Sequence, residues 1–349
     1  MRFGYWLPVF GGWLRNVEDE RMEAEWSYVR RLARASERSG FDLTLIAELN
    51  LNDIKGPEAP ALDAWSTAAA LAAVTDRLEL MVAVRPTFHP PALLAKQAAN
   101  IDHISGGRLS LNVVSSWWAE EAKQYGVEFD THDARYARTA EWLAVVDGLW
   151  SQPRFSFTGK YYRVENAILE PKPTRRPRPT VYAGGESPAA KSLIARSCDG
   201  YLMHGDPPER VAAKISDMQA LRETNGGGLE PLVYGVAGYV VCRATEPAAR
   251  REIERITDVR QNAAGYANYE QWLANTQLEQ RVSLEDYSVS NRGLKAGLTG
   301  TPEQIAERIR DFEQAGVDLL LLQFSPQLEE MERFAEAVIP LVNEPSGVR

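Results

Sequence analysis

Residues 109–118 read LSLNVVSSWW, the fourth of the strand-like runs in the chain. Its leucines and valines have the length and character of a buried strand, yet an amide side chain, Asn112, lies among them. Two serines and two tryptophans follow at the end of the run, and residues 118–150 then show helical periodicity. A continuously apolar strand followed by a helix is typical of a parallel sheet whose faces are covered by helices.

The same strand-and-helix pattern recurs along the chain. Strands are predicted over 2–9, 41–48, 78–84, 109–114, 179–185, 199–205, 232–242 and 317–325, and helices over 22–39, 62–75, 91–104, 118–150, 188–197, 207–225, 245–262 and 327–342. Eight such units in 349 residues favour a closed (β/α)8 TIM barrel over an open doubly wound sheet. No Gly-x-Gly-x-x-Gly follows the first strand, which weakens the open dinucleotide-binding alternative.

We expect a single domain, residues 1–349, with two enlarged connections. Residues 151–178 predict a hairpin followed by a proline-rich approach to the fifth strand. Residues 262–300 are longer than an ordinary connection and form a candidate mobile lid. Barrel enzymes carry their chemistry at the C-terminal ends of the strands, so the residues that follow each strand are the candidates for a site.

Composition limits the class of partner and compartment. The net charge of -9 and the pI near 5.2 disfavour nucleic acid or an anionic membrane surface as a partner. The two cysteines lie far apart and none of the four histidines has His-x-x-x-His spacing, so neither a disulfide framework nor a metal site is indicated. No secretion signal or membrane-spanning run is recognised, which predicts a cytoplasmic protein.

The polar residues at the predicted strand ends define the candidate site. They are Glu48, Asn112, Ser115, Ser116, Ser187 and His204, with Trp117 and Trp118 beside them. No Ser-His-Asp or Cys-His arrangement with a known motif is present, and paired carboxylates in glycosidase positions are not evident. So little acid–base machinery indicates that a cofactor supplies the reactivity.

Two segments have the character of an anion-binding site. AGGESPAAKS (183–192) predicts a turn, an N-cap at Ser187 and a proline at the first helical position, so it is either a phosphate site or simply a well-capped helix. HDARYARTAEW (132–142) places Arg135 and Tyr136 in the first turns of a helix. The pair either holds a phosphate or is a solvated arginine beside a half-buried tyrosine.

Seven segments, in order along almost the whole chain, share the pattern of one known family. They are FGYWLP (3–8), PPALLAKQAANIDHISGGRLSLNVVSSWW (90–118), HDARYARTAEWLAVVDGLW (132–150), FTGKYYRV (157–164), PTVYAGGESPAAK (179–191), GDPPERV (205–211) and LTGTPEQIAERIRDFEQAGVDLLLLQF (298–324). Together they resemble the bacterial luciferase-like flavin-dependent monooxygenases. The nearest branch is that of the dimethylsulfone and alkanesulfonate monooxygenases, with the pyrimidine monooxygenases further off.

The resemblance implies a (β/α)8 barrel with insertions, a homodimer or homotetramer, and reduced FMN delivered by a separate NAD(P)H-dependent flavin reductase. It also implies cofactor-binding residues. Asn112 matches the fourth-strand asparagine that contacts the flavin ring system, and Glu121 matches an acidic residue of the flavin site. Arg135 and Tyr136 match an Arg-Tyr pair near the flavin phosphate, and Ser187 matches the serine at the phosphate-binding helix start.

Other site residues follow from position as well as from the resemblance. Glu48 and Leu49 fall where the second strand ends against the flavin, although their identities differ from those in relatives. Trp117 is expected to form a wall beside flavin or substrate. His204 is the candidate for handling a proton or hydrogen-bonding the substrate, and Arg292 is the candidate to close over the site from the lid.

Departures from the family pattern bear on the substrate. The seventh-strand Arg and His that help sulfonate monooxygenases bind a sulfonate correspond to Ala237 and Tyr239, which favours a less anionic substrate. A Trp at the end of the sixth strand corresponds to His204, and a Cys near the second helix corresponds to Ala61. Against this, Arg292 falls within a residue of the lid arginine of sulfonate enzymes, so the sequence leaves sulfone and sulfonate open.

The hypothesis is therefore an FMNH2-dependent, two-component monooxygenase that uses O2 to oxygenate a small organosulfur compound. Cleavage of the C–S bond would serve sulfur assimilation and give sulfite or a sulfinate together with an aldehyde. The alternatives are a deazaflavin (F420)-dependent oxidoreductase on the same barrel, a flavin monooxygenase with a non-sulfur substrate, and a flavin-binding protein without catalytic activity.

Overall fold

The structure is a computed structural model and describes residues 1–225, 227–259, 264–280 and 282–343. Within these residues the strands are β1 Arg2–Trp6, β2 Leu43–Ile46, β3 Glu79–Val84, β4 Leu109–Val113, β5 Phe155–Thr158, β6 Arg163–Ala167, β7 Thr180–Gly184, β8 Gly200–Met203, β9 Val233–Tyr239, β10 Val241–Cys242, β11 Thr299–Gly300 and β12 Leu319–Gln323. Strands β1, β2, β3, β4, β7, β8, β9 and β12 pair in that order, and β12 pairs back onto β1 to close the barrel. All of these pairs are parallel, which confirms the predicted (β/α)8 barrel.

The helices lie between the strands, as the apolar periodicity predicts. They are α1 Trp26–Arg38, α2 Ala64–Ala72, α3 Pro91–Ser105, α4 Ala119–Gln124, α5 His132–Ser151, α6 Pro188–Ser197, α7 Pro208–Asn225, α8 Glu246–Ile256, α9 Tyr269–Asn275, α10 Leu284–Tyr287, α11 Pro302–Gln314, α12 Gln327–Ala337 and α13 Ile339–Asn343. Helix α8 ends before the predicted boundary at 262, and positions 260–262 lie outside the described residues. None of the helices in the described ranges is long and apolar enough to cross a membrane.

The seventh predicted strand, 232–242, is wrong in its C-terminal part. Strand β9 leaves the barrel after Tyr239, and the next strand, β10, pairs with β11 outside it. Helix α11 follows β11 and was not among the predicted helices. It begins with a capping box between Thr301 and Gln304 and buries Ile309 and Phe312.

The barrel carries two insertions, within 151–178 and within 262–300. Strands β5 and β6 form an antiparallel hairpin within 151–178. Within 262–300, residues 264–280 and 282–300 contain α9, α10 and the 3₁₀ turns Ala264–Tyr266 and Ser290–Ala296. We call these residues the covering segment. Positions 262, 263 and 281 of the predicted lid lie outside the described residues.

The interior of the barrel is filled in its lower part and lined by smaller side chains above. At the N-terminal end of the strands, Arg2 donates a hydrogen bond of 3.0 Å to Glu79. Apolar side chains fill the middle, chiefly Leu43, Leu45, Met81, Tyr182 and Leu319. Above them, each strand end contributes one residue to a layer that we call the upper layer: Trp6, Ala47, Ala83, Asn112, Gly184, Leu202, Ala237 and Leu321.

Candidate active site

The upper layer is the floor of a cavity of about 310 Å³ at the C-terminal end of the barrel. The loops after β2, β4, β7 and β8 form its walls, and the covering segment contributes Trp272, Asn275, Tyr287 and Arg292. This is the end at which barrel enzymes place their active sites. Its size falls within the range usual for small-molecule sites. The small side chains Ala47, Ala83, Gly184 and Ala237 leave the space that the cavity occupies.

Polar groups on the floor lack protein partners. Asn112 is 7% exposed, lines the cavity, and its amide makes no hydrogen bond with any of the described residues. The indole Nε1 of Trp6 and the hydroxyl of Ser116 are likewise buried at the cavity without a partner in the described part of the chain. Because an unpaired buried polar group costs about 1–3 kcal/mol, these groups are suited to hydrogen-bond a polar ligand.

A pair of stacked tryptophans forms one wall. The rings of Trp117 and Trp118 are parallel within 2°, with centroids 5.4 Å apart. Trp118 is buried against the protein, whereas Trp117 lines the cavity. The turn that presents them includes Ser116, whose backbone has the left-handed φ of 46°. Stacking therefore holds the Trp117 ring as a rigid flat surface beside the cavity.

The cavity reaches the N-terminus of α6. Ser187 is the N-cap of this helix and accepts a hydrogen bond of 3.2 Å from the N–H of Ala190, as the sequence predicts. Its hydroxyl also hydrogen-bonds the phenol of Tyr136, whose pKa is raised by burial. A Cβ at Gly185 would lie 3.1 Å from this phenol oxygen. The same Cβ would lie only 2.6 Å from the Cβ of Ala190, so a glycine at this position lets the chain pass close to the first turn of α6.

Arg135 lines the cavity but directs its guanidinium to backbone carbonyls. It donates hydrogen bonds to the carbonyls of Ser115 at 3.0 Å, Asp130 at 2.9 Å and Asn275 at 3.1 Å. Burial lowers the pKa of Arg135. The arginine thus joins the loop after β4, the loop before α5 and the covering segment, and these three contacts use three of its five N–H donors.

A second polar network lies behind the cavity wall. Glu48 lies 2.5 Å from Nε2 of His89 and accepts a hydrogen bond of 2.7 Å from the backbone N–H of Arg85. The guanidinium of Arg85 pairs with both oxygens of Glu121, which is 0% exposed and does not line the cavity. Glu121 therefore acts on the site through Arg85, while Glu48 and its neighbour Leu49 line the cavity directly.

A buried charge cluster beside His204 was not predicted. Glu186, 9% exposed, forms an ion pair with Arg292, lies 3.1 Å from Nζ of Lys214 and lies 3.8 Å from Nδ1 of His204. Burial alone would raise the pKa of Glu186, but a hydrogen bond from His204 and the charges of Arg292 and Lys214 hold it well below its ordinary value. The pKa of His204 is lowered by burial and by Arg292, so the imidazole is neutral near pH 7.

The covering segment is held over the cavity by a strained turn. Asn291 and Arg292 both have left-handed backbones, with φ of 56° and 54°. The carbonyl of Asn291 accepts a hydrogen bond of 3.0 Å from the N–H of Gly205, directly after His204. A side chain at Gly205 would overlap the carbonyl of Arg292. This contact fixes Arg292 against the end of β8.

The predicted site residues thus assemble at one place. Those that line the cavity are His204, Arg292, Trp117, Glu48, Leu49, Asn112, Arg135 and Tyr136. Ser187 and Glu121 lie one layer behind. Glu186 could have been suspected, since an acidic side chain between a glycine pair and a helix N-cap opposes anion binding and calls for a cationic partner.

The model of the family described as luciferase-like monooxygenase matches residues 1–319. The chain belongs to the luciferase-like monooxygenases. The predicted family resemblance is therefore confirmed.

Individual relatives of this luciferase-like monooxygenase cover its whole length. It is 35% identical over 359 residues to an FMNH2-dependent dimethylsulfone monooxygenase of Pseudomonas putida, covering 99% of this chain and 96% of that protein. It is also 35% identical to the protein of the same description from Pseudomonas fluorescens (strain Pf0-1), covering 99% and 95%. Among solved structures, a long-chain alkane monooxygenase (LadA) superposes with a TM-score of 0.83 at 19% identity, covering 97% of this chain and 90% of that one. The last comparison shows the fold alone.

Proposed function

We propose that this chain is the oxygenase of an FMNH2-dependent two-component system that oxidises a small sulfone, with dimethylsulfone as the first candidate. The observation that carries the proposal is full-length similarity, at 35% identity, to two dimethylsulfone monooxygenases. Dimethylsulfone, O2 and two reducing equivalents would give methanesulfinate, formaldehyde and water, with cleavage of one C–S bond.

The residues around the cavity fit a flavin mononucleotide. The amide of Asn112 and the indole N–H of Trp6 supply unpartnered hydrogen-bonding groups at the floor, and Trp117 supplies a flat wall. The N-terminus of α6 with Ser187 and Tyr136 supplies donors for a terminal phosphate. A planar polar ring system with a phosphate at one end therefore matches the chemical groups that surround the cavity.

The residues have separate tasks once the cofactor is present. Reduced FMN supplies the reducing equivalents and the activation of O2. Asn112 and Trp117 orient the ring system, and the α6 N-terminus fixes the phosphate. Neutral His204 hydrogen-bonds the substrate or moves a proton at an imidazole nitrogen. The covering segment, through Arg292, excludes water from the reacting atoms.

The remaining features of the proposed system concern partners. A separate NAD(P)H-dependent flavin reductase would supply reduced FMN, as the resemblance to the two-component flavin monooxygenases implies. We further propose a homodimer or homotetramer that acts in the cytoplasm.

The test is a turnover assay with purified protein, FMN, a flavin reductase and NADH. Dimethylsulfone, methanesulfinate and a series of alkanesulfonates are supplied in parallel, and sulfinate, sulfite and aldehyde are measured separately. We expect stoichiometric methanesulfinate and formaldehyde from dimethylsulfone. Absence of a sulfur-containing product from every compound would overturn the organosulfur proposal. Turnover with reduced F420 under argon would indicate hydride transfer instead of oxygenation.

A further inference from the structure

We propose that Glu186 is a specificity-determining residue that neutralises Arg292 and thereby restricts the cavity to uncharged substrates. The inference rests on the proposed function, because it concerns which organosulfur compound this site accepts. Glu186 would act through Arg292, without touching the substrate itself. It would resolve the conflict in the sequence, in which Arg292 favours a sulfonate and Ala237 favours a neutral compound.

Arg292 already has a counter-ion in the folded protein. This arginine is 6% exposed, lines the cavity and forms an ion pair with Glu186. No other carboxylate among the described residues pairs with it. A guanidinium already matched by a buried carboxylate has little to gain from a substrate anion, because the anion would bring a second negative charge beside Glu186.

Unlike Arg292, Lys214 has carboxylate partners other than Glu186. Nζ of Lys214 lies 2.6 Å from Asp206 and 3.7 Å from Glu279, as well as 3.1 Å from Glu186. Loss of the Glu186 charge would therefore leave Lys214 paired but leave Arg292 without a counter-ion. The cation made available would be the one that lines the cavity.

The other side chains beside Arg292, those of His204 and Ala237, would not supply a positive charge. His204 is held neutral, and Glu186 is one of the groups that favour its protonation. Removing the Glu186 charge would not create an imidazolium. On the seventh barrel strand the cavity presents the methyl group of Ala237. Arg292 is thus the group through which a freed positive charge would reach a substrate.

The experiment measures binding without turnover, with oxidised FMN at saturation and no reductase. Calorimetry with dimethylsulfone and with methanesulfonate gives an affinity ratio for each variant. We expect E186Q to bind methanesulfonate at least about tenfold tighter than the wild type does, with dimethylsulfone affinity changed less than about threefold. With the reductase added, kcat/KM for methanesulfonate relative to dimethylsulfone should rise in the same direction.

The matched control is D206N, which removes a buried carboxylate from the same cluster but from the side of Lys214. It should leave the affinity ratio unchanged. The double variant E186Q/R292Q should lose the gain. If E186Q does not fold, E186D offers the same test. Arg292 and Lys214 contact the same oxygen of Glu186, so the shorter side chain withdraws it from both, but Lys214 keeps Asp206 and Glu279 as partners.

Two results would overturn the inference. One is an unchanged ratio in E186Q or, where that variant does not fold, in E186D. The other is a gain that persists in E186Q/R292Q, which would mean that the anion does not bind through Arg292. These outcomes are distinct from failure of the proposed function, which is decided by turnover of dimethylsulfone by the wild type. A gain in methanesulfonate binding that requires Arg292 would support charge selection even if the sulfone were not turned over.

Discussion

The Nδ1 atom of His204, at the end of β8, lies 3.8 Å from a carboxylate oxygen of Glu186, at the start of α6. Burial of the imidazole and the charge of Arg292 lower the pKa of His204, whereas Glu186 raises it, and the net shift is downward from 6.5. Near neutral pH the pair therefore consists of a neutral imidazole and an ionised carboxylate.

This shift makes stability depend on pH in a defined direction. As the pH falls below 6.5, the unfolded chain protonates His204 before the folded protein does. The unfolded state then binds more protons, so the free energy of unfolding decreases. Urea denaturation should show the wild type losing stability relative to H204Q between about pH 7 and about pH 5. A constant difference between the two proteins across this range would contradict the assignment.

The amide of Asn112 should contribute to cofactor affinity. N112A removes a hydrogen-bonding group that has no partner among the described residues, so the fold loses no contact of that amide. We expect FMN to bind about 3- to 10-fold more weakly, with the melting temperature little changed. Fluorescence titration of FMN measures the effect. N100A, at an exposed position of α3, is the control and should bind FMN as the wild type does.

Tyr136 should distinguish the cofactor by its phosphate. Y136F removes the phenol that contacts Ser187 at the start of α6. FMN affinity should fall several-fold, by about the 1 kcal/mol expected of a lost hydrogen bond. Riboflavin, which lacks the phosphate, should bind equally well to both proteins. Y161F serves as the control, because Tyr161 contacts Arg138 and Lys160 outside the cavity. An equal loss for both flavins would assign Tyr136 to the ring system instead.

Lys214 should be important for stability. K214M leaves Asp206 buried without its closest cation, which typically costs about 3 kcal/mol or more. The matched control is K295M, because Lys295 and Asp286 form a pair at 2.8 Å whose side chains are 29% and 28% exposed. That substitution should cost at most about 1 kcal/mol. Chemical denaturation measures both, and equal losses would show that burial does not govern the Lys214 cluster.

The sequence predicts the barrel because its strands are continuous apolar runs of the right length and number. The same property explains the error at 232–242: an unbroken run of apolar residues does not reveal where the chain leaves one sheet and joins another. Helix α11 was not predicted because it directly follows the enlarged connection, 262–300, that the sequence predicts as a lid.

The site was predictable where residues lie at strand ends, as Asn112 and His204 do. Contacts between distant segments were not. Glu186, Lys214 and Arg292 come from three separate parts of the chain, and only the closed barrel brings their charges together. The sequence likewise gives no sign that Arg135 donates to three backbone carbonyls, or that Glu121 pairs with Arg85 behind the cavity.

The packed interior beneath the upper layer has a consequence for the order of events. With Arg2 and Glu79 paired at one end of the barrel and apolar side chains filling the middle, ligands reach the cavity from its other end. Cofactor, substrate and product would then all pass through the C-terminal end of the described barrel. The molecule that binds deeper must bind first and dissociate last, so a shared entrance imposes an ordered mechanism of binding and release.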